Sequence, residues 1–165
     1  MVQKEIEAIL AWQDVGDGDI DVDGVLKAFE RLKSIATEAD LPALVAAIQS
    51  PKNNFWTREL FADPICYLGG ADYLEPLLEA AQLGLDEGHD NDGFDVLLRD
   101  LAYIDPEKCR AKLEELMARD SFKHREAANW LLEVLALDRQ YPLPGTKSDG
   151  PKRPASQTLH ALNSP

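Results

Sequence analysis

The sequence predicts an all-α fold of about eight helices, arranged in antiparallel pairs and stacked as a short α-solenoid. Three observations lead there. Apolar residues recur at helical spacing as far as position 137, with no strand-like alternation. One segment is written twice: Thr57-Arg58-Glu59-Leu60-Phe61-Ala62 leads to Ile65, Leu68 and Gly69, and further on His124-Arg125-Glu126-Ala127-Ala128-Asn129 leads to Leu132 and Leu135. In both copies apolar residues stand seven and ten places after the arginine, on one helical face. The interval from Arg58 to Arg125 is close to two periods of about 33 to 34, a length at which helix-pair repeats recur, so a third copy is expected between the two.

The first helix covers roughly 2–13, with Ile6, Ile9 and Leu10 on its apolar side and Trp12 beside them. Residues 14–24 hold three glycines and five aspartates, which cannot continue a helix and read as an acidic loop. From Val25 a stripe of Leu26, Phe29, Leu32 and Ile35 marks the second helix, ended by 36–39. Asp40 is expected to cap the third, with Pro42 tolerated in its first turn and Leu41, Leu44, Val45 and Ile48 buried. Residues 50–54 form a turn. The fourth helix then runs from Phe55 or Trp56 to Gly69-Gly70, with a kink expected at Pro64.

Tyr73, Leu74, Leu77, Leu78 and Ala81 make the fifth helix, which fades at Gly84 into a second acidic loop at 86–93. Phe94, Leu97, Leu98, Leu101, Ala102 and Ile104 form the sixth, a degenerate middle copy whose arginine is displaced to Arg99. Asp105-Pro106 starts the seventh, the aspartate as cap and the proline in the first helical position, with Cys109, Leu113, Leu116 and Met117 apolar. After a turn at 120–123 the eighth carries Ala127, Ala128, Trp130, Leu131, Val134 and Leu135. One repeat domain is therefore expected at 1–138, comprising a divergent capping pair at 2–37 and repeats at 40–69, 72–104 and 105–137. Residues 139–165, rich in Pro, Gly, Ser and Lys, read as a flexible tail.

Leu41-Pro42, Glu75-Pro76 and Asp105-Pro106 open first helices, while Arg58 with Leu68-Gly69 and Arg125 with Leu135 mark second ones. From Leu41 to Leu137 this pattern resembles the HEAT-type helical repeats. The resemblance implies stacked helix pairs whose internal turns, at 14–24, 50–54, 86–93 and 119–123, align along one edge. It also implies a binding scaffold rather than an enzyme, since such arrays are mostly binding surfaces. The matching places of Arg58 and Arg125 point to scaffold duty, tying neighbouring turns through acidic partners or backbone carbonyls.

Charge narrows the function further. Thirty acidic side chains against 17 basic ones leave −13, and because 139–165 carries +3 the body stands at −16. Such a surface repels phosphate backbones and draws basic partners, so another protein is the expected partner, with neither nucleic acid nor membrane. No apolar run approaches the ~20 residues that span a bilayer and no signal-like segment opens the chain, so a cytoplasmic protein is expected. Cys66 and Cys109 have no metal-knuckle spacing and read as small buried hydrophobes.

No catalytic constellation is visible and no cofactor is expected. His89 sits among Asp86, Asp90 and Asp92, where a solvated loop histidine weighs against a metal or acid–base site. Residues 19–30 match a calcium-binding EF-hand loop, with Asp19, Asp21 and Asp23 as ligands, Gly24 at the turn, Leu26 apolar and Glu30 bidentate. A calcium-responsive module is accordingly the alternative to a protein-binding one, although Gly16 and Gly18 break the helix that should lead into the loop. The leading expectation is an acidic interaction module, in particular an immunity or antidote protein that covers a basic toxin, with an adaptor or assembly scaffold as its neighbour in the same class. Its partner-binding residues are expected to be Asp17, Asp19, Asp21, Asp23, Phe55, Trp56, Asp86, Glu87, Asp90 and Asp92, on loops aligned at one edge.

Overall fold

A computed structural model describes residues 2–11 and 21–140, with side chains to 137. Within them the chain is helical: α1 (Val2–Leu10), α2 (Val22–Ile35), α3 (Leu41–Ile48), α4 (Phe55–Gly69), α5 (Leu74–Asp86), α6 (Asp92–Ile104), α7 (Pro106–Ala118) and α8 (Arg125–Gln140). Short 3-10 turns at Glu38–Asp40 and Gly70–Tyr73 lead into α3 and α5. No strand occurs among the described residues, so the all-α expectation holds. No helix among them is long and apolar enough to cross a membrane.

Most boundaries follow local chemistry. Asn54 caps α4 by accepting from the Thr57 N–H at 2.9 Å, while the Thr57 hydroxyl faces the Asn54 N–H at 3.1 Å, a reciprocal capping box. Asp105 caps α7 through the Lys108 N–H at 3.1 Å, with Pro106 in the first helical position. Past α4 the backbone turns at Gly70, whose φ of 59° costs a glycine little. Three expectations need correction. α2 starts at Val22 rather than Val25, because Asp21 accepts from the Gly24 N–H at 2.8 Å and so caps a turn that contains the glycine. Asp40 does not cap α3; its carboxylate binds the Thr37 N–H at 3.0 Å and hydroxyl at 2.8 Å. α5 continues through Gly84 to Asp86 rather than fading at the glycine. α4 stays helical through Pro64.

α1 packs on α2, α3 on α4 and α7 on α8. Along the chain α3 also meets α1 and α5, α5 meets α7, α4 meets α6, and α6 meets α8. The core between these two rows includes Leu32, Leu44, Phe61, Ile65, Leu77, Leu98 and Leu113, all fully buried. Burying a side chain of this size stabilises by roughly 1.5–3 kcal/mol before entropy losses. Cys66 and Cys109 lie in the same core as free thiols, as small hydrophobes would. Desolvation pushes Cys66 up to about 12 and Cys109 to about 11, so neither ionises near neutrality.

Three residues stand at the spacing of about 33 to 34 that the sequence suggests: Arg58, Asn91 and Arg125. Phe61 and Ile65, three and seven places after the first, and Phe94 and Leu98, three and seven after the second, are buried; after the third, Ala128 is buried and Leu132 partly so. Asparagine therefore stands where a middle copy is expected, and Arg99 is an exposed residue further along α6.

Candidate functional site

The turn between α3 and α4 and the loop between α5 and α6 meet, two of the four turns for which alignment is expected. Arg58, only 3% exposed, reaches from the first turn of α4 to the Glu87 carboxylate and to the Asn53 carbonyl at 3.5 Å. Asn53 in turn donates to the Ala47 and Ile48 carbonyls at 2.8 and 3.1 Å, closing the end of α3. On the loop side Asn91 donates to the Ala81 carbonyl at 2.7 Å. Its Oδ1 lies 2.7 Å from where a Cβ at Gly84 would stand, so the glycine is a notch for Asn91 rather than a helix end. Beside this clasp the Phe55 ring, 39% exposed, stacks on His89 with centroids 4.0 Å apart.

The other carboxylates of the loop gather around Glu59. A Cβ at Gly93 would lie 2.7 Å from the Glu59 carboxylate, which places that carboxylate on the first turn of α6. Burial pushes the Glu59 carboxyl above its usual range and Asp90 and Asp92 push it further, while the Phe94 N–H works the other way. Asp95 is raised as well, chiefly by burial, with Asp92 adding to it and Arg99 opposing it. Among the described residues no lysine or arginine pairs with Asp90 or Asp92. An exposed aromatic ring thus stands beside a cluster of carboxylates in which Asp90 and Asp92 add to the burial that disfavours ionisation of Glu59. The arrangement can receive a cation, and nothing in it resembles a nucleophile with a base.

No protein-family model, curated protein or solved structure matches the chain.

The residues expected from sequence divide accordingly. Phe55, Asp90 and Asp92 share the exposed edge. Trp56 is half-buried against the core, and so Phe55 is the exposed member of the pair. Glu87 is tied to Arg58, and Asp86 accepts from Gln82 at 2.9 Å. Asp17 and Asp19 lie outside the described residues, while Asp21 and Asp23 sit at the start of α2. That helix opposes the calcium-loop alternative, since Asp23 and Glu30 are separated by two turns, about 10 Å along the axis, rather than folded around one ion. His89 is exposed, as a solvated loop histidine would be, and stacks on Phe55. Sequence reasoning misses Glu59 at the site, although it is the acidic half of the repeated Arg-Glu pair. Arg125 does what scaffold duty implies, donating to the Met117 and Arg119 carbonyls at 2.8 and 2.9 Å.

Proposed function

We propose that this chain is a short HEAT-like helical scaffold that captures a basic protein partner through the edge formed by 50–55 and 86–92, and that within this class it is an antidote covering a basic toxin. The observation that carries the reading is the crowding of Glu59 by Asp90 and Asp92 beside the exposed, stacked Phe55. Carboxylates held together without a cation are under electrostatic tension that an incoming lysine or arginine relieves. An aromatic at the centre of such a patch supplies contact area that charge alone does not. The overall charge of −13 extends the attraction beyond the patch and speeds encounter with a basic protein. Repeat spacing at 58, 91 and 125, with α4, α6 and α8 packed in succession, supports the stacked-pair architecture.

Affinity capture from the source cell tests this, using the wild-type chain beside a Glu59→Gln, Asp90→Asn, Asp92→Asn variant. The wild type is expected to retain a protein of high isoelectric point, encoded next to this chain and toxic when expressed alone, which the variant loses. Equal retention by both, or an acidic partner, would overturn the reading.

A further inference from the structure

The loop edge carries a pair of rings held from both sides. Phe55 is the first residue of α4, fixed by the Asn54–Thr57 capping box, and its ring is 39% exposed. His89 comes from the end of α5: Gly88, at a φ of 85°, turns the chain back so that the His89 N–H donates to the Gly84 carbonyl at 3.1 Å. The ring centroids lie 4.0 Å apart with the planes 26° from parallel, and His89 is exposed as well. Two separate backbones thus hold the stack, and its outer surface stays in water. A second contact fixes what stands beside it. Phe55 and Glu59, four positions apart, share one side of α4. His89 lies against the first, and the Glu59 carboxylate lies 2.7 Å from where a Cβ at Gly93 would stand, so the chain from His89 to Gly93 runs along the first turn of α4. Midway, Asn91 turns inward to the Ala81 carbonyl at 2.7 Å, and Asp90 and Asp92 on either side of it are exposed. Neither pairs with a lysine or arginine among the described residues.

We infer that the stacked Phe55–His89 pair is a platform for an arginine of the protein partner, whose guanidinium lies on the rings and donates from its edge to Asp90 and Asp92. The inference rests on the basic-partner reading and names the side chain that the edge takes. Two selections meet at this place. A ring surface stacks best on a flat group, which admits a nucleobase or an aromatic side chain as readily as a guanidinium. The adjoining carboxylates and the overall charge of −13 reject a base that carries phosphate and favour a cation. Of the two long basic side chains only arginine is flat as well as charged. It stacks and donates to a carboxylate at the same time, whereas a lysine ammonium remains a hydrated point charge. Rings already fixed by their backbones lose little freedom when the ligand arrives, so most of the stacking energy is kept as affinity.

The test uses two labelled synthetic peptides, one alternating arginine with serine and one alternating lysine with serine, titrated against the full chain by fluorescence anisotropy at pH 8 and low ionic strength. The wild type is expected to bind the arginine peptide about fivefold more tightly, the size of an exposed guanidinium–ring contact. His89→Ala and Phe55→Leu should each bring the two affinities together, and His89→Phe, which keeps a ring on Phe55, should keep the preference. Asp90→Asn with Asp92→Asn should weaken both peptides. The arginine peptide should also move the His89 ring-proton resonances, identified by their loss in His89→Ala, more than the lysine peptide does. Melting of each variant reports on folding, and the exposure of both rings predicts little change. Equal binding of the two peptides by the wild type, or a preference that persists in both His89→Ala and Phe55→Leu, would overturn the inference. If in that case Asp90→Asn with Asp92→Asn still weakens binding, the basic-partner reading stands without the platform. If neither peptide binds the wild type, or neutralising the two aspartates changes nothing, both fall.

Discussion

Asn91 and Arg125, 34 residues apart, each reach back into the preceding helix: Asn91 Nδ2 to the Ala81 carbonyl at 2.7 Å, and Arg125 Nη1 to the Met117 carbonyl at 2.8 Å. Arg58, 33 residues before Asn91, reaches the Asn53 carbonyl in the turn just before its own helix. Each of the three side chains holds a backbone carbonyl that precedes its own helix, and more than one residue type performs that task.

These three contacts differ in burial, and their removal should differ in proportion. Arg58→Ala takes a guanidinium that is almost wholly buried and leaves Asn53 and Glu87 to find water, a loss of about 2–4 kcal/mol. Asn91→Ala removes the second donor on the Ala81 carbonyl, which keeps its partner inside α5, and should cost about 1 kcal/mol. Arg125→Ala exposes carbonyls that water already reaches, so about 1 kcal/mol is expected. Urea unfolding of the three variants checks the order. An Arg58→Lys variant should recover little, because an ammonium cannot span both acceptors.

Gly84 gives a sharper version of the same argument. A Cβ there would meet Asn91 Oδ1, so Gly84→Ala should destabilise although alanine is the better helix former by about 1 kcal/mol. In an Asn91→Ala background the clash disappears, and Gly84→Ala should then stabilise. A double-mutant cycle with no coupling between the two positions would contradict the notch.

Much of this fold is legible because the chain punctuates its helices chemically. Asp105-Pro106, Gly69-Gly70 and the proline after Ser50 mark ends with local residues, and the spacing of Phe61 and Ile65 or Leu98 and Leu101 marks buried faces. What escapes is tertiary. An arginine is the mark by which a middle copy is expected, but asparagine stands at that spacing, and its bond to the Ala81 carbonyl is visible only in the structure. Glu59 joins Asp90 and Asp92 across the whole of α5, a proximity no local pattern encodes. Which of Phe55 and Trp56 faces outward depends on the packing of α4 against its neighbours. Glu87 reads as one more loop acid, yet its partner is a buried arginine from another turn.

Both thiols should be inert in the native protein. Burial raises Cys66 to about 12 and Cys109 to about 11, so at pH 8 the thiolate fraction is tiny and the sulfur is covered as well. Titration with a chromogenic disulfide should register neither thiol before denaturant is added and both afterwards. Prompt reaction of either in the native state would mean that the core opens locally at that place.

The crowding of Glu59 predicts how stability varies with pH. Burial, then Asp90 and Asp92, raises its folded-state pKa above the unfolded value, so between the two values the folded state holds more protons than the unfolded one. Stability from this group is therefore greatest at low pH and is lost as pH rises through that window. Glu59→Gln, which keeps an acceptor for the Phe94 N–H, should melt higher than wild type at neutral pH. The difference should shrink as pH falls into and below the ordinary glutamate range. A variant less stable at pH 7 would mean that its charge is stabilising at the start of α6 and outweighs the crowding.

The edge should also separate the two halves of a binding rate. Asp90 and Asp92 are exposed and act at a distance, within a screening length of about 8 Å at physiological salt, so Asp90→Asn with Asp92→Asn should slow association with the captured partner and flatten its salt dependence. Phe55 acts only on contact. Phe55→Ala should leave association nearly unchanged and speed dissociation about tenfold, since a central aromatic anchor contributes more than about 1 kcal/mol when it fills a partner's pocket. His89→Ala separates a ring that binds from a ring that merely props Phe55. If it speeds dissociation as much as Phe55→Ala does, the stacked pair is one anchor; if it has no effect, Phe55 holds its position through α4 alone. Stopped-flow traces at two ionic strengths resolve these effects, and an edge that is not the interface would leave both rate constants of every variant at the wild-type values.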